Sequence, residues 1–199
     1  MRVVVAFAAT AILITPSNAR AQSWEASGLF GFTPSAAIDQ RASELSDTDI
    51  RGEITWGLQG ARFFTHSLGA EVLWTQQASA FEIGTSDGKA DLFTMIVRQL
   101  HGNVVYRFGS ASAKWQPFVF GGLGATFFTS DTVASETKLS LDAGGGVKFF
   151  LSRLVGARAH VRYKPTFLND SSGTFCDPFG FCQGVLHQIE FAAAAVLRF

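Results

Sequence analysis

The chain of 199 residues holds few side chains with latent chemistry: four histidines, His66, His101, His160 and His187, and two cysteines, Cys176 and Cys182. Hydrolytic or acyl-transfer chemistry needs a serine and a histidine within hydrogen-bond reach. No histidine stands in a His-x-Ser pattern, and the run Asp170-Ser171-Ser172 falls in a connection, where short polar side chains bond their own backbone and make turns. No catalytic residue is therefore expected. A metal pair on the two cysteines would draw on His187 but lacks an evident fourth ligand, so neither metal nor cofactor is expected. The cysteines read instead as a disulfide, because an exported chain meets an oxidising compartment where close thiols pair. Closing so short a loop restrains the unfolded chain by only roughly 2 kcal/mol, so its job is to shape a local tip.

Export is written at the N-terminus. Arg2, an apolar run over 3–14, Pro16 and Ala19-Arg20-Ala21 form a leader with an A-x-A processing site, cleaved after Ala21. Residues 1–21 are then a signal peptide and 22–199 one domain. The apolar run is short of the ~20 residues a spanning helix needs, and no later stretch is apolar for as long. Loss of Arg2 and Arg20 tips the even balance of 16 basic and 16 acidic residues slightly towards acid, which suggests no nucleic-acid partner.

The remaining chemistry lies in charges that recur at every second position. Over 155–165, Arg158, His160, Arg162 and Lys164 oppose Val155, Ala157, Ala159, Val161 and Tyr163. Period two is the mark of a strand with two different faces. Seven further segments, 24–32, 49–64, 68–77, 91–108, 115–128, 138–150 and 185–199, alternate or nearly so, joined by connections that are long and short in strict turn. Such a pattern predicts an all-β, eight-stranded antiparallel up-and-down barrel. The segment 115–128 declares no face, since Phe118 and Phe120 oppose Val119 and Leu123.

Alternation alone does not choose between a water-soluble barrel, apolar inside, and a transmembrane one, apolar outside. The strict alternation of connection lengths, the aromatic residues at strand ends and the leader favour the membrane. Twenty Phe and 20 Gly beside only 16% charged residues fit a wall in which alternate side chains touch lipid. Arg51, Glu53, Glu71, Arg107, Asp142, Lys148, Arg158, Arg162 and Glu190 then face a lumen just wide enough to be filled by side chains, and they should pair as a plug. The alternative is a small ion-conducting lumen biased to anions by Arg158, Arg162 and Lys164.

A repeat marks the short-turn end: Arg62-Phe63-Phe64, Tyr106-Arg107-Phe108, Lys148-Phe149-Phe150 and Leu197-Arg198-Phe199. Phe63, Phe108, Phe149 and Phe199 would form a periplasmic aromatic rim, with Leu197 and Phe199 closing the terminal strand. The parity of Ile54, Trp56 and Leu58 would point Arg62 outward, so a bulge near Gly57 or Gly60 is expected there. At the other end Phe175, Phe179 and Phe181 surround the cysteine pair, and they form either an exposed apolar binding tip or the packing of their own loop.

In these features the chain resembles the small outer-membrane β-barrel family that includes the OmpA transmembrane domain and OmpX. The carriers are the run Pro117-Phe118-Val119-Phe120-Gly121-Gly122-Leu123-Gly124-Ala125, the turn Phe63-Phe64-Thr65-His66-Ser67-Leu68-Gly69, the pair Arg162-Tyr163 and the terminal Phe199. The resemblance implies a monomer in the outer membrane of a Gram-negative bacterium, in contact with outer-membrane lipid and lipopolysaccharide. It also implies that Phe191, Leu197 and Phe199 supply the signal read by the barrel-assembly machinery. It implies no single activity. Lipid A deacylases and acyltransferases occur on such barrels, but the serine and histidine that they need on the lipid face are not evident. The expectation is a structural or surface-binding barrel acting through its external loops, towards an extracellular ligand the sequence does not name.

Overall fold

The computed structural model describes residues 23–34, 36–40, 48–50, 53–85, 88–130, 135–168 and 184–199. Ten strand segments follow one another: β1 (Ser23–Thr33), β2 (Ala36–Gln40), β3 (Thr48–Ile50), β4 (Glu53–Phe63), β5 (Leu68–Thr85), β6 (Gly88–Arg107), β7 (Trp115–Ser130), β8 (Glu136–Phe150), β9 (Val155–Phe167) and β10 (Gly184–Arg198). β2 continues along β10 above β1, and β3 continues along β5 above β4, so the ten segments make eight staves. All neighbours are antiparallel, and β1 pairs with both β4 and β10, which closes the sheet into the expected eight-stranded barrel. Closure leaves no sheet edge, the condition for strands to cross a bilayer.

The two faces are inverted relative to a soluble protein. Arg158, Arg162 and Lys164 point inward and are 2, 0 and 0% exposed, whereas Phe30, Ile54 and Leu123 point outward and are 72, 68 and 63% exposed. An apolar surface of that extent is stable only against hydrocarbon. The first and last strands are tied together at the rim, where Trp24 N–H donates to Phe199 O at 2.9 Å and Phe199 N–H to Trp24 O at 3.0 Å.

At the short-turn rim the structure corrects two expectations. No bulge interrupts β4, whose pairing with β1 runs unbroken from Ser23↔Phe63 to Thr33↔Glu53. Arg62 therefore points outward, its guanidinium 5.1 Å from the Trp24 ring and 5.6 Å from the Phe64 ring. At the membrane edge a long cationic side chain lays its stem on apolar surface and sends its head to the headgroups, so no repair is needed. The same parity sends Phe63 into the barrel, where it is fully buried with Ala61, Val105, Phe118 and Phe120. Phe64 takes its place outside, beside Trp24, Phe108, Trp115, Phe149 and Phe199.

β5 and β6 are longer than expected: they stay paired through Thr85↔Gly88, with one register shift at Phe81/Glu82, where a connection over 78–90 was expected. The run Phe81-Glu82-Ile83 itself alternates apolar and polar residues and so extends the strand. β7 now declares its face. Phe118 and Phe120 turn inward, and Val119 and Leu123 outward. Space for the rings comes from the neighbouring strand. A Cβ added to Gly144 would lie 2.3 Å from Val161 O and 2.6 Å from Phe120 Cζ, whereas one added to Gly28 would meet nothing within 4 Å. We expect Gly144→Ala to cost about 1–3 kcal/mol by overpacking, read as a lower temperature for loss of the compact heat-modifiable band, with Gly28→Ala unchanged.

Candidate functional site

Among the described residues charged and polar groups converge in the interior, which is organised in levels. Nearest the short turns, Glu25 on β1 is the hub. Its carboxylate meets Lys148 Nζ of β8, Arg198 Nη2 of β10 at 2.9 Å and Arg107 Nη1 of β6 at 3.6 Å. Two of these cations also hold the turns beneath them: Arg107 donates to His66 O at 2.6 and 3.0 Å, and Arg198 Nη1 to Ala111 O at 3.2 Å. Gln116 ties the same region together, accepting from Arg198 Nη2 and donating to Ala111 O and Ala113 O.

At mid-height Arg158 Nη1 donates to Glu71 Oε2 at 2.7 Å, and Arg162 Nη1 to Asp142 Oδ2 at 2.7 Å. Arg162 also approaches Glu71 at 3.8 Å and Glu190 at 3.7 Å. Lys164 Nζ donates to Glu190 Oε2 at 2.7 Å and to Gln99 Oε1 at 2.6 Å. Asn103 bridges Asp142 at 2.7 Å and Glu71 at 3.3 Å, and Gln59 donates to Glu71. Above this level amides and hydroxyls join the Lys138–Glu136 pair, itself 3.1 Å across: Gln99 reaches Gln188 at 3.0 Å and Thr126 at 3.4 Å, and Thr126 meets Thr166 at 3.1 Å.

These contacts span the barrel. In the ring of eight staves β5 stands opposite β9 and β6 opposite β10, so Glu71–Arg158 and Gln99–Gln188 join facing walls. Among the described residues seven inward cations, Arg107, Lys138, Lys148, Arg158, Arg162, Lys164 and Arg198, stand against five carboxylates, Glu25, Glu71, Glu136, Asp142 and Glu190. Five of the seven also lie over aromatic rings. Arg107 is 4.2 Å from the Phe63 centroid, Lys148 4.8 Å from the same ring, Arg158 4.2 Å from Phe118, Arg162 4.7 Å from Phe120 and Arg198 3.5 Å from Phe150. Ring faces attract cations, most strongly where both are desolvated.

Of the lumen residues expected from sequence, the structure thus brings together Glu71, Asp142, Arg158, Arg162 and Glu190 in one cluster, and Arg107 and Lys148 in another around Glu25. Arg51 and the side chain of Glu53 lie outside the described residues, as do Cys176, Cys182, Phe175, Phe179 and Phe181. Sequence reasoning missed Glu25 and Arg198 as network members. Parity contained the signal, since Trp24, Phe30 and Phe32 on the lipid face place Glu25 inside. A serine and a histidine do meet, His101 Nε2 lying 2.9 Å from Ser140 Oγ. Both are buried within the barrel wall, away from any lipid substrate, and among the described residues no histidine, cysteine and carboxylate cluster could hold a metal.

Fold and interior together define a transmembrane β-barrel of the bacterial outer membrane. The chain belongs to the family described as the outer membrane protein beta-barrel domain, which it matches over residues 5–181. Its fold is similar to that of the outer membrane protein OprG from Pseudomonas aeruginosa, at 13% identity over 90% of this chain and 96% of that one, with a TM-score of 0.64. It is also similar to Neisserial surface protein A, at 13% identity over 89% and 97% of the two chains, with a TM-score of 0.58. No curated protein sequence matches the chain.

Removing one member of a buried pair leaves an uncompensated charge. Glu71→Ala should therefore destabilise the barrel by about 3 kcal/mol, read from the urea midpoint of the folded band. The double variant Glu71→Gln with Arg158→Met should recover part of the loss, because the charge orphaned by the single change is gone.

Proposed function

We propose that this protein is a closed outer-membrane barrel with a structural or surface-binding role carried by its external loops, and that it performs no catalysis. The observation that supports this most is the wall-to-wall bonding of the interior: Glu71 to Arg158 and Gln99 to Gln188 cross the full width, and Glu25 gathers three strands beneath them. A lumen crossed at three heights offers an ion no continuous wet path. The sites left for function are the long connections on the side away from the aromatic rim. In this reading the leader is removed after Ala21, Cys176 and Cys182 pair, and Phe175, Phe179 and Phe181 present an apolar tip to an extracellular partner. Phe191, Leu197 and Phe199, outward on the last strand, serve recognition by the assembly machinery.

A second reading, a small low-conductance pore, is favoured by the excess of inward cations over carboxylates, which would bias it to anions. The third, a lipid A-modifying enzyme, has only the Ser140–His101 pair to draw on, and that pair is buried. Planar-bilayer recordings separate the first two: the closed barrel gives no more than leak, whereas discrete anion-selective steps would establish the pore. For the loop role, replacing Phe179 and Phe181 by Ser should lower attachment of the native host to its targets while leaving outer-membrane abundance unchanged. Undiminished attachment would remove the tip from the proposal.

A further inference from the structure

The lipid-facing wall is not uniform. Between β1 and β8 it sinks into a depression of about 840 Å³ whose lining includes Phe30, Phe32, Phe191, Ala193, Ala159 and Gly145. Register explains its shape. One row across the wall reads Phe32–Phe191–Val161–Gly145 and the next Phe30–Ala193–Ala159–Val147. Ala193 and Ala159 keep the middle of the floor low, with Val161 and Val147 also lining it, and the row below continues with Gly28, Ala195 and Ala157. Phe30 and Phe191 stand beside it as exposed rings.

Its height in the membrane follows from the strand. Phe30 lies six residues above Trp24 of the short-turn rim on β1, which is roughly 15 Å along the normal for a strand tilted ~40°. The depression therefore lies in the outer-leaflet half of a hydrocarbon band ~25 Å tall. Directly above it the wall turns polar. Tyr163, two residues beyond Val161 on β9, faces outward, and its hydroxyl is hydrogen-bonded to His187 Nδ1 of β10 at 2.6 Å, with the rings stacked at 10°. The tautomer in which Tyr163 donates to Nδ1 leaves Nε2 with the ring proton and free to donate. Bonded polar side chains above an apolar stretch of wall mark headgroup height, as Tyr and His tips do where one end is greasy and the other wet.

We propose that the depression holds an acyl chain of a phosphorylated outer-leaflet lipid, whose headgroup accepts a hydrogen bond from His187 Nε2. The apolar trough recognises the chain by shape, and the Tyr163–His187 pair fixes the headgroup above it. This site lies on the wall and is independent of whether the lumen conducts or the loops bind.

The test uses the whole mature protein, purified in mild detergent, titrated with lipid A and examined by native mass spectrometry. Each variant is first checked for the heat-modifiable band. The wild type retains one lipid A, and Ala193→Phe, which fills the floor, abolishes retention. Should that variant not fold, Ala159→Leu fills the same floor with a smaller side chain. His187→Ala, which loses one hydrogen bond of ordinary net strength, lowers the bound fraction about fivefold. Leu123→Phe, on a wall away from the trough, retains lipid as the wild type does. Equal retention by Ala193→Phe and wild type would overturn the proposal. So would a dimer that Ala193→Phe splits, because the trough would then belong to a second copy.

Discussion

A bilayer offers no partner to a charge or to an open backbone group, and that constraint organises this molecule. Strands can cross only as a closed ring, and charged side chains in the span turn inward, into a lumen that eight strands make just wide enough for side chains to fill. The ion pairs are the consequence. Two charges about 4 Å apart attract by about 4 kcal/mol at an effective dielectric near 20, while desolvating each ion costs several kcal/mol. The two sums nearly cancel, so the Glu71–Arg158 and Arg162–Asp142 pairs contribute little net stability. Their effect is to make every alternative register expensive: a slip by one residue would send Arg158 and Arg162 into lipid and Val161 into the lumen.

The surplus of cations adds a second device. Among the described residues seven inward cations stand against five carboxylates, and the shortfall is met partly by ring faces, since Arg107 and Lys148 lie over Phe63, Arg158 over Phe118, Arg162 over Phe120 and Arg198 over Phe150. A desolvated cation–π contact contributes about 2 kcal/mol, comparable with the net of a buried ion pair. The interior phenylalanines are thus part of the electrostatics as much as of the packing. This also accounts for Phe63, whose inward position serves two cations that a rim position would leave bare.

The barrel was legible in the sequence because alternation, turn spacing and the basic–Phe repeat all point to one architecture, and because β9 sets Arg158, His160, Arg162 and Lys164 against Ala157, Ala159, Val161 and Tyr163. Strand β7 was not, since both faces carry apolar residues and only the glycines of β8, far along the chain, decide which face fits inside. Arg62 misled because a charge on the lipid face looks like an error until Trp24 and Phe64 are seen beside it. Glu25 was hidden by its neighbours: Ser27, Gly28 and Gly31 blur the alternation of β1. What alternation supplied was a list of inward residues. Their partners across the lumen depend on the order and stagger of all eight staves, which no single strand records.

The run Ala192-Ala193-Ala194-Ala195 on β10 shows how the two faces of such a wall respond differently to the same residue. Inward, Ala192 and Ala194 leave space that Leu29 and Leu73 occupy, and the four form one buried cluster. Interior packing tolerates no void, because each lost methylene contact costs free energy. Outward, Ala193 lines a depression that the exposed rings of Phe30 and Phe191 border but leave open. A wall facing hydrocarbon has no need to be filled by its own chain, since membrane components close against it. The thinness of β10 is therefore compensated from within on one side and from the membrane on the other, and the shape of the outer hollow selects what settles there.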